Sequence, residues 1–172
     1  MNHSSNTNSG GWKGCDLRYD VLGSTNTNDG DATATTATNP VANTLMAALP
    51  SDLRAVMQPM TIYTDNTGGG SDNASYVTKT TDYLPLLAEY EIFGTRTYAN
   101  SAEKNYQAQY AYYSAGNSKV KYRHSATGST AWWWERSPYY YYSSAFCYVY
   151  TSGGADDTDA GCSSGVAPAF RV

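Results

Sequence analysis

The chain has 172 residues and a formal net charge of −4, with 17 tyrosines and only 15% charged residues. This length is typical of one domain that buries its own core without metals or disulfides. The acidic balance argues against a nucleic-acid interface, because neutralising phosphates requires clustered positive charge. Only Lys119, Lys121, Arg123 and His124 approach a cluster, which we interpret as a solvated strand or loop. We predict one domain, residues 1–172, that binds no nucleic acid.

Residues 1–10 are polar and contain neither a basic cluster nor an apolar run. This composition indicates a disordered or linker-like start and predicts no membrane insertion. We expect the compact part of the domain to follow this segment.

Apolar spacing in the first half of the chain predicts short helices separated by loops. One short helix is predicted around Leu17. Apolar residues recur at helical spacing through residues 41–57, but Pro50 interrupts them, so we predict a broken helix there. The Thr-, Asn- and Gly-rich residues 23–40 and 65–73 predict two long loops.

The middle of the chain combines an apolar run with acidic residues. Residues 84–94 fit a buried strand that leads into a tight turn. Asn100 and Glu103 have the spacing of a helix N-cap and its reciprocal acid. The helix that they begin would carry three tyrosines on one face, which we expect to pack on the core. These are Tyr106, Tyr110 and Tyr113.

The last third of the chain predicts strands. The bulky Trp132–Trp134 run predicts a central strand whose rings fill the core and which ends at Pro138. Residues 145–151 alternate between a small apolar face and an aromatic face. We expect the small face to be buried, which leaves Tyr148 and Tyr150 projecting from the other. Further on we predict a turn at residues 152–154, an acidic loop at residues 156–159 and a closing strand at residues 166–172.

Four consecutive tyrosines, Tyr139–Tyr142, precede the alternating strand. Neighbouring side chains of an extended segment face opposite ways, so at least half of these rings should be exposed. Tyrosine combines a large apolar area with a hydroxyl and few rotatable bonds, which suits it to contact a partner at low entropic cost. We predict a ligand-binding surface, and the alternative is a low-complexity loop that packs on itself. Its residues are Tyr139, Tyr140, Tyr141, Tyr142, Ser143, Tyr148, Tyr150, Asp156, Asp157, Thr158, Asp159 and Ser163.

No pattern in the sequence indicates a catalytic or metal site. Cys15, Cys147 and Cys162 lack zinc-site spacing; they fit small buried thiols, and a disulfide between the last two is the alternative. The aspartates of residues 156–159 match no complete calcium loop and suit a polar rim better than a calcium site. His124 has no nucleophile beside it in a recognisable motif. We predict no enzymatic activity, no metal and no cofactor.

Four motifs carry a resemblance to a known family. They are Gly10-Gly11-Trp12 with Leu17-Arg18, Leu86-Leu87-Ala88-Glu89, Trp133-Trp134-Glu135-Arg136-Ser137-Pro138 and Gly165-Val166-Ala167-Pro168-Ala169-Phe170. The chain resembles C-type-lectin-like domains at the C-terminus of phage and prophage tail proteins, and is similar to the variable proteins of diversity-generating retroelements. The resemblance covers almost the whole chain. It implies an α+β, C-type-lectin-like fold in which short helices flank a twisted antiparallel sheet with long loops.

The same resemblance implies a function. Such a domain would bind a bacterial surface protein or glycan receptor, would be displayed on a phage tail or a bacterial cell surface, and could assemble as a homo-oligomer within a larger tail. In related variable proteins, adenine-directed mutagenesis rewrites exposed C-terminal positions. Residues 139–164 use only residue types that this process can produce.

Two departures from the family pattern and two alternative functions stay open. Ala167 stands where related sequences often carry Arg. Glu135 stands where the family usually has an apolar residue, and neutralisation by Arg136 or Arg18 would make it structural. The formylglycine-generating enzyme resembles this fold and uses a cysteine pair with copper, but Cys147 and Cys162 do not fall in a motif that maps onto that pair. A structural domain that trimerises a tail fibre, with the tyrosines buried between copies, is the other alternative.

Overall fold

The computed structural model describes residues 1–172 as a mixed fold of short helices and small antiparallel sheets, which confirms the predicted α+β class. The α-helices are α1 (Ala34–Thr38), α2 (Leu45–Ala48), α3 (Ser51–Val56), α4 (Glu89–Phe93) and α5 (Ala111–Ser114). The strands are β1 (Met60–Asp65), β2 (Val77–Asp82), β3 (Lys121–Arg123), β4 (Ala126–Ala131), β5 (Trp133–Pro138), β6 (Ala145–Val149) and β7 (Ala155–Asp159). None of the helices combines the length and the apolar character that a membrane crossing requires.

The sheet that carries most of the aromatic residues has three antiparallel strands in the order β5-β6-β7. The central strand is therefore β6, and the tryptophan strand β5, predicted to be central, lies at an edge. The free side of β5 is covered by a bridge between Trp133 and Gly165 and by a hydrogen bond from Arg136 N to Leu87 O. Trp133 and Trp134 are buried as predicted.

Local signals predicted α2 and α3 but not α1. Pro50 separates α2 from α3, which confirms the broken helix. The Thr44 side chain accepts a hydrogen bond from Ala47 N and caps the start of α2. The short helix predicted near Leu17 is a π-helical turn, and the predicted loop at residues 23–40 contains the one-turn helix α1.

Residues 89–93 form α4, so the prediction of a strand here is wrong. The carboxylate of Glu91 accepts a hydrogen bond from Ala88 N at 2.9 Å and caps the first turn. Gly94 ends the helix with a φ of 70°, a left-handed conformation that favours glycine. These local caps stabilise a helix where the apolar run alone suggested a strand.

The helix predicted from Asn100 is two separate pieces, a 3-10 turn at Ser101–Asn105 and α5. The Asn100 side chain caps the turn by accepting a hydrogen bond from Ala102 N, as its position predicts. Because the helix is interrupted, the three tyrosines do not form one buried face. Tyr113 is buried, whereas Tyr106 and Tyr110 are exposed.

Two further predictions for the C-terminal residues are wrong. Residues 155–159 form β7 instead of a loop, because every one of them pairs with a residue of β6. Residues 166–172 form no strand and contribute only an isolated bridge between Arg171 and Gln58. Pro168 lacks the N–H that a continuous strand would need at that position.

Residues 1–10 pack against the domain in place of the disordered start that we expected. Met1 and Asn2 are buried, and Asn2 N donates a hydrogen bond to Ala160 O at 2.9 Å. Asn8 is fully buried. The N-terminal segment is thus part of the support for the C-terminal sheet.

Buried apolar clusters cover both faces of β6. The larger cluster includes Phe146 and Trp134, while smaller clusters contain Val149 with Trp133 and, separately, Cys147. Because both faces are covered, all five residues of β6 are buried.

Candidate binding surface

The segment that joins β5 to β6, residues 139–144, is called the tyrosine loop below. Tyr141 and Tyr142 are 63% and 54% exposed, whereas Tyr139 and Tyr140 are half-buried. The rings contact one another edge to face, with the centres of the Tyr139 and Tyr142 rings 5.2 Å apart. Two of the four rings are exposed, which agrees with the predicted number. The exposed rings are neighbours and not alternate residues, because the chain bends at Tyr140–Tyr141 and turns at Ser143–Ser144.

Asn8 holds the tyrosine loop from beneath. Its Nδ2 donates hydrogen bonds to the carbonyl oxygens of Tyr139, Tyr142 and Ala145 at 3.2, 2.9 and 2.8 Å. Its backbone N donates to Ser143 O at 2.7 Å, and its Oδ1 accepts from the backbone N of a glycine in the 65–73 loop. Asn8 therefore joins the tyrosine loop and the start of β6 to the 65–73 loop.

We expect Asn8→Ala to lower the free energy of unfolding by about 2 kcal/mol, because the buried amide loses its hydrogen bonds to three carbonyl oxygens and to one backbone N–H. Urea denaturation followed by tryptophan fluorescence measures the change. The exposed Asn28→Ala serves as the control and should stay within about 0.5 kcal/mol of the wild type. Equal stabilities of the two variants would contradict the role given to Asn8.

A second support reaches the tyrosine loop through Tyr98. Its ring meets the Tyr139 ring edge to face at 5.2 Å, and its carbonyl oxygen accepts a hydrogen bond from Tyr140 N at 3.0 Å. The buried carboxylate of Glu89 accepts the backbone N–H groups of residues 97–99 at 2.7 to 3.0 Å. These bonds hold the backbone of residues 97–99, against which the half-buried Tyr139 and Tyr140 pack.

Tyr140 is covered by a cation of the chain itself. The Arg96 guanidinium lies 3.9 Å from the centre of the Tyr140 ring and pairs with Asp72 at 3.0 Å. Cation–π stacking and the ion pair hold this ring in one orientation. The exposed Tyr141 and Tyr142 have no such cover.

Tyr148 does not project into solvent, so that expectation is wrong. It is 8% exposed and packs edge to face against Trp132, with ring centres 4.9 Å apart. Its hydroxyl donates to Asp156 Oδ2 at 2.9 Å. The large apolar cluster covers this face of β6, which strand alternation alone could not reveal. Tyr150, at the end of the strand, is 48% exposed as expected.

The acidic residues of β7 divide between the two faces of the sheet. In the register with β6, Asp156 is opposite Tyr148, whereas Asp157 is opposite Cys147 and Asp159 is opposite Ala145. Successive side chains of a strand point to opposite faces, so the three carboxylates do not converge as calcium ligands would. Thr158 lies on the Tyr148 face, with its Oγ1 3.7 Å from Cys162 Sγ.

The side of β7 that carries Asp157 and Asp159 is next to the tyrosine loop. Asp159 Oδ1 accepts a hydrogen bond from the Ser144 hydroxyl at 2.9 Å. Burial, together with the neighbouring Asp156 and Asp159, raises the pKa of the Asp157 carboxyl above its ordinary value. Its negative charge in turn contributes to the raised pKa of Tyr139, behind burial. The structure thus brings these two aspartates together with Tyr139–Ser143.

Ser163 is not brought to the tyrosine loop. It lines a cavity with Lys121 and Trp132 at the N-terminal end of β5. The tyrosine loop begins at the other end of this strand, roughly 20 Å away at about 3.3 Å per residue. The predicted surface therefore splits into the tyrosine loop with Asp157 and Asp159, a Tyr148–Asp156 face with the exposed Tyr150, and the separate Ser163.

Glu135 is a buried carboxyl group that neither Arg136 nor Arg18 neutralises. The Arg136 guanidinium pairs with both carboxylate oxygens of Glu91 at 2.6 and 2.7 Å, and Arg18 pairs with Asp82 at 2.6 Å. Both carboxyl oxygens of Glu135 are buried without a hydrogen-bond partner. Burial and then the neighbouring carboxyl groups of Glu89 and Glu103 raise its pKa well above the ordinary value. Burial without a partner thus favours the protonated form of Glu135.

The two C-terminal cysteines lie on different faces of the sheet. Cys147 is buried opposite Asp157, while Cys162 is exposed and contacts Thr158 on the other face. All three cysteines of the chain are free thiols. The disulfide considered for Cys147 and Cys162 is absent, and the buried-thiol prediction fails for Cys162.

Sequence reasoning missed one group of potential metal ligands. His3, Asp16 and Asp20 bring one ligand atom each within 4.8 Å of the others. His3 Nδ1 lies 3.1 Å from Asp16 Oδ2, and the His3 backbone N donates a hydrogen bond to the same oxygen at 3.0 Å, so contacts within the protein already engage this group. The sequence spacing carried no signal, because the segment around His3 folds back onto the π-helical turn.

The comparisons with known proteins give one match. A family model described as "Domain of unknown function (DUF6273)" matches residues 1–172. Neither the curated proteins nor the solved structures contain a match to the chain.

Proposed function

We propose, on the premise that the chain belongs to the DUF6273 family of unknown function, that it is a non-enzymatic domain that binds a receptor through the tyrosine loop. The observation that carries the proposal is the exposure of Tyr141 and Tyr142 on a loop held by buried side chains. Exposed aromatic rings on a stiff support lose little entropy on binding, which is the property of an interface anchor.

The receptor in this proposal is a protein or glycan on a bacterial surface, and the domain is displayed on a phage tail or a bacterial cell. The proposal includes a C-type-lectin-like fold and diversification by a retroelement. Support comes from the α+β class with small antiparallel sheets and from the motifs at Trp133–Pro138 and Gly165–Phe170. Asp157, Asp159 and Ser143 supply polar contacts around the rings.

We expect Tyr141→Ala and Tyr142→Ala each to weaken receptor binding by on the order of 2 kcal/mol, about thirtyfold, because each removes an exposed anchor. Binding of the fluorescently labelled domain to a panel of intact bacterial cells measures the effect. Tyr112→Ala removes a ring of similar exposure on α5 and is the matched control. A Tyr112→Ala variant that loses as much binding as the loop variants would sink the proposal, as would loop variants that bind like the wild type.

The diversification part of the proposal has its own test in the sequences of natural copies of the gene from one bacterial community. Differences should concentrate at exposed positions of residues 139–164, such as Tyr141, Tyr142 and Asp159, and should spare the buried Phe146 and Val149. Differences spread evenly over the chain would contradict the proposed diversification, but they would not contradict receptor binding.

Solution size separates receptor binding from a purely structural role. A stable trimer that protects Tyr141 and Tyr142 from solvent would favour assembly of a fibre. A species that leaves both rings accessible, measured by tyrosine modification, would favour receptor binding.

A further inference from the structure

A cavity of about 580 Å³ lies where the β3–β4 hairpin meets residues 163–167. Its two walls are tied to the same strand. Trp133 Nε1 donates a hydrogen bond to Lys119 O at 3.0 Å, and Gly165 N donates to Trp132 O at 3.1 Å. The Ser164 hydroxyl donates to the same Trp132 oxygen at 2.7 Å. These bonds hold the base of the hairpin and residues 164–165 beside Trp132 and Trp133, and the cavity volume falls in the range of small-molecule sites.

Positive charge is concentrated around this cavity. The cations Lys121 and Arg123 line it together with His124, and no acidic residue does. None of the three takes part in an ion pair, although the chain as a whole has a net charge of −4. A concave site with charges of one sign and low-dielectric walls strengthens the local potential. Lys121, Arg123 and His124, which we interpreted from the sequence as part of a solvated strand or loop, thus line a cavity that favours an anion.

Aromatic surface lies next to the charge. Tyr122 and Trp132 line the same cavity, and the Lys121 ammonium lies 5.6 Å from the centre of the Trp133 ring. A planar ring can stack on such aromatic faces. An anionic substituent on that ring can reach Arg123, whose flat guanidinium matches carboxylates and phosphates through two parallel hydrogen bonds.

We propose that this cavity binds a small organic anion that carries its carboxylate or phosphate on a planar ring. The site uses residues other than the tyrosine loop and lies at the opposite end of β5. It is therefore a second binding site, and the test of this proposal does not depend on the test of receptor binding.

Calorimetric titration with two matched pairs of probes tests the proposal. Phenylacetate and phenylacetamide differ in charge, and so do adenosine monophosphate and adenosine. We expect the anion of at least one pair to bind with a Kd of about 1 mM or tighter, and its neutral counterpart to give no saturable heat. The pair that responds identifies the anionic group as carboxylate or phosphate.

Two variants locate the binding in the cavity. Arg123→Gln and Lys121→Gln should each weaken binding of the anion by about tenfold, because each removes a charge-assisted contact near the surface. Lys79→Gln, exposed on β2, is the matched control, and Tyr141→Ala should bind the anion like the wild type. Equal heats for an anion and its neutral counterpart, no heat for either anion, or unchanged affinity in both cavity variants would overturn the proposal.

Discussion

Arg136→Met is expected to lower the free energy of unfolding by roughly 3–5 kcal/mol, the largest loss of any single substitution considered for this protein. Arg136 is the buried cation beside Glu91, and it also donates hydrogen bonds to Thr64 Oγ1 at 2.6 Å and to Leu86 O at 2.7 Å. Removing the guanidinium leaves the Glu91 carboxylate uncompensated in the core. Urea denaturation followed by tryptophan fluorescence measures the loss.

A double variant separates charge from packing. Arg136→Met combined with Glu91→Met removes both partners and should recover part of the lost stability, because no buried charge remains unpaired. Lys79→Met on the surface of β2 is the control, with an expected change within about 0.5 kcal/mol. If the double variant were less stable than Arg136→Met alone, the uncompensated charge of Glu91 could not be the cause of the loss.

Stability is expected to fall as the pH rises from about 4.5 towards 7 and beyond, because the buried Glu103 and Glu135 hold their protons more tightly in the folded state than in the unfolded state. Burial raises the pKa of Glu103 from 4.5 to about 7. The contribution of protonated Glu103 to the free energy of unfolding is fully present below about pH 4.5 and is lost as the pH rises through 7. A shift of this size corresponds to roughly 3 kcal/mol. The pKa of Glu135, raised well above its ordinary value, extends the loss to higher pH.

Glu135→Gln tests this account, because the amide cannot titrate and Glu135 has no hydrogen bond to lose. We expect a flatter dependence of unfolding free energy on pH than in the wild type, with the gap widening above pH 7. Glu135→Met also removes the unpaired polar group and should add roughly 1–3 kcal/mol of stability at neutral pH. Asp29→Asn, an exposed carboxylate, is the control and should follow the wild-type curve. A Glu135→Gln curve parallel to that of the wild type would show that Glu135 is not a neutral buried acid.

Much of the local structure could be predicted from neighbouring residues. Pro50 divided a helix, Asn100 capped a turn, and the alternation in residues 145–149 marked a strand. These signals act within a few residues of the chain, so their effect on local conformation depends little on the segments that pack against them. The segment at residues 89–93 shows their limit, since an apolar run is compatible with strand and helix alike until the caps at Glu91 and Gly94 decide.

The candidate site could be predicted only in part. The exposure of at least two of the four consecutive tyrosines followed from the sequence, because an extended segment cannot bury them all, but which two are exposed did not. The burial of Tyr148 and the separation of Ser163 from the tyrosine loop depend on which segments pack against each face of β6. Those segments lie far away in the chain, so no local pattern contains the information.

The amino-acid sequence by itself determined that this protein is one α+β chain with tyrosines too numerous in one segment to be hidden. Only the tertiary structure decided which rings face solvent and that Asn8 holds their loop. It also decided that Arg136 pairs with Glu91, while the Glu135 carboxyl has no hydrogen-bond partner. Local conformation depends on neighbours in the chain, whereas burial and charge pairing depend on residues that meet only after folding.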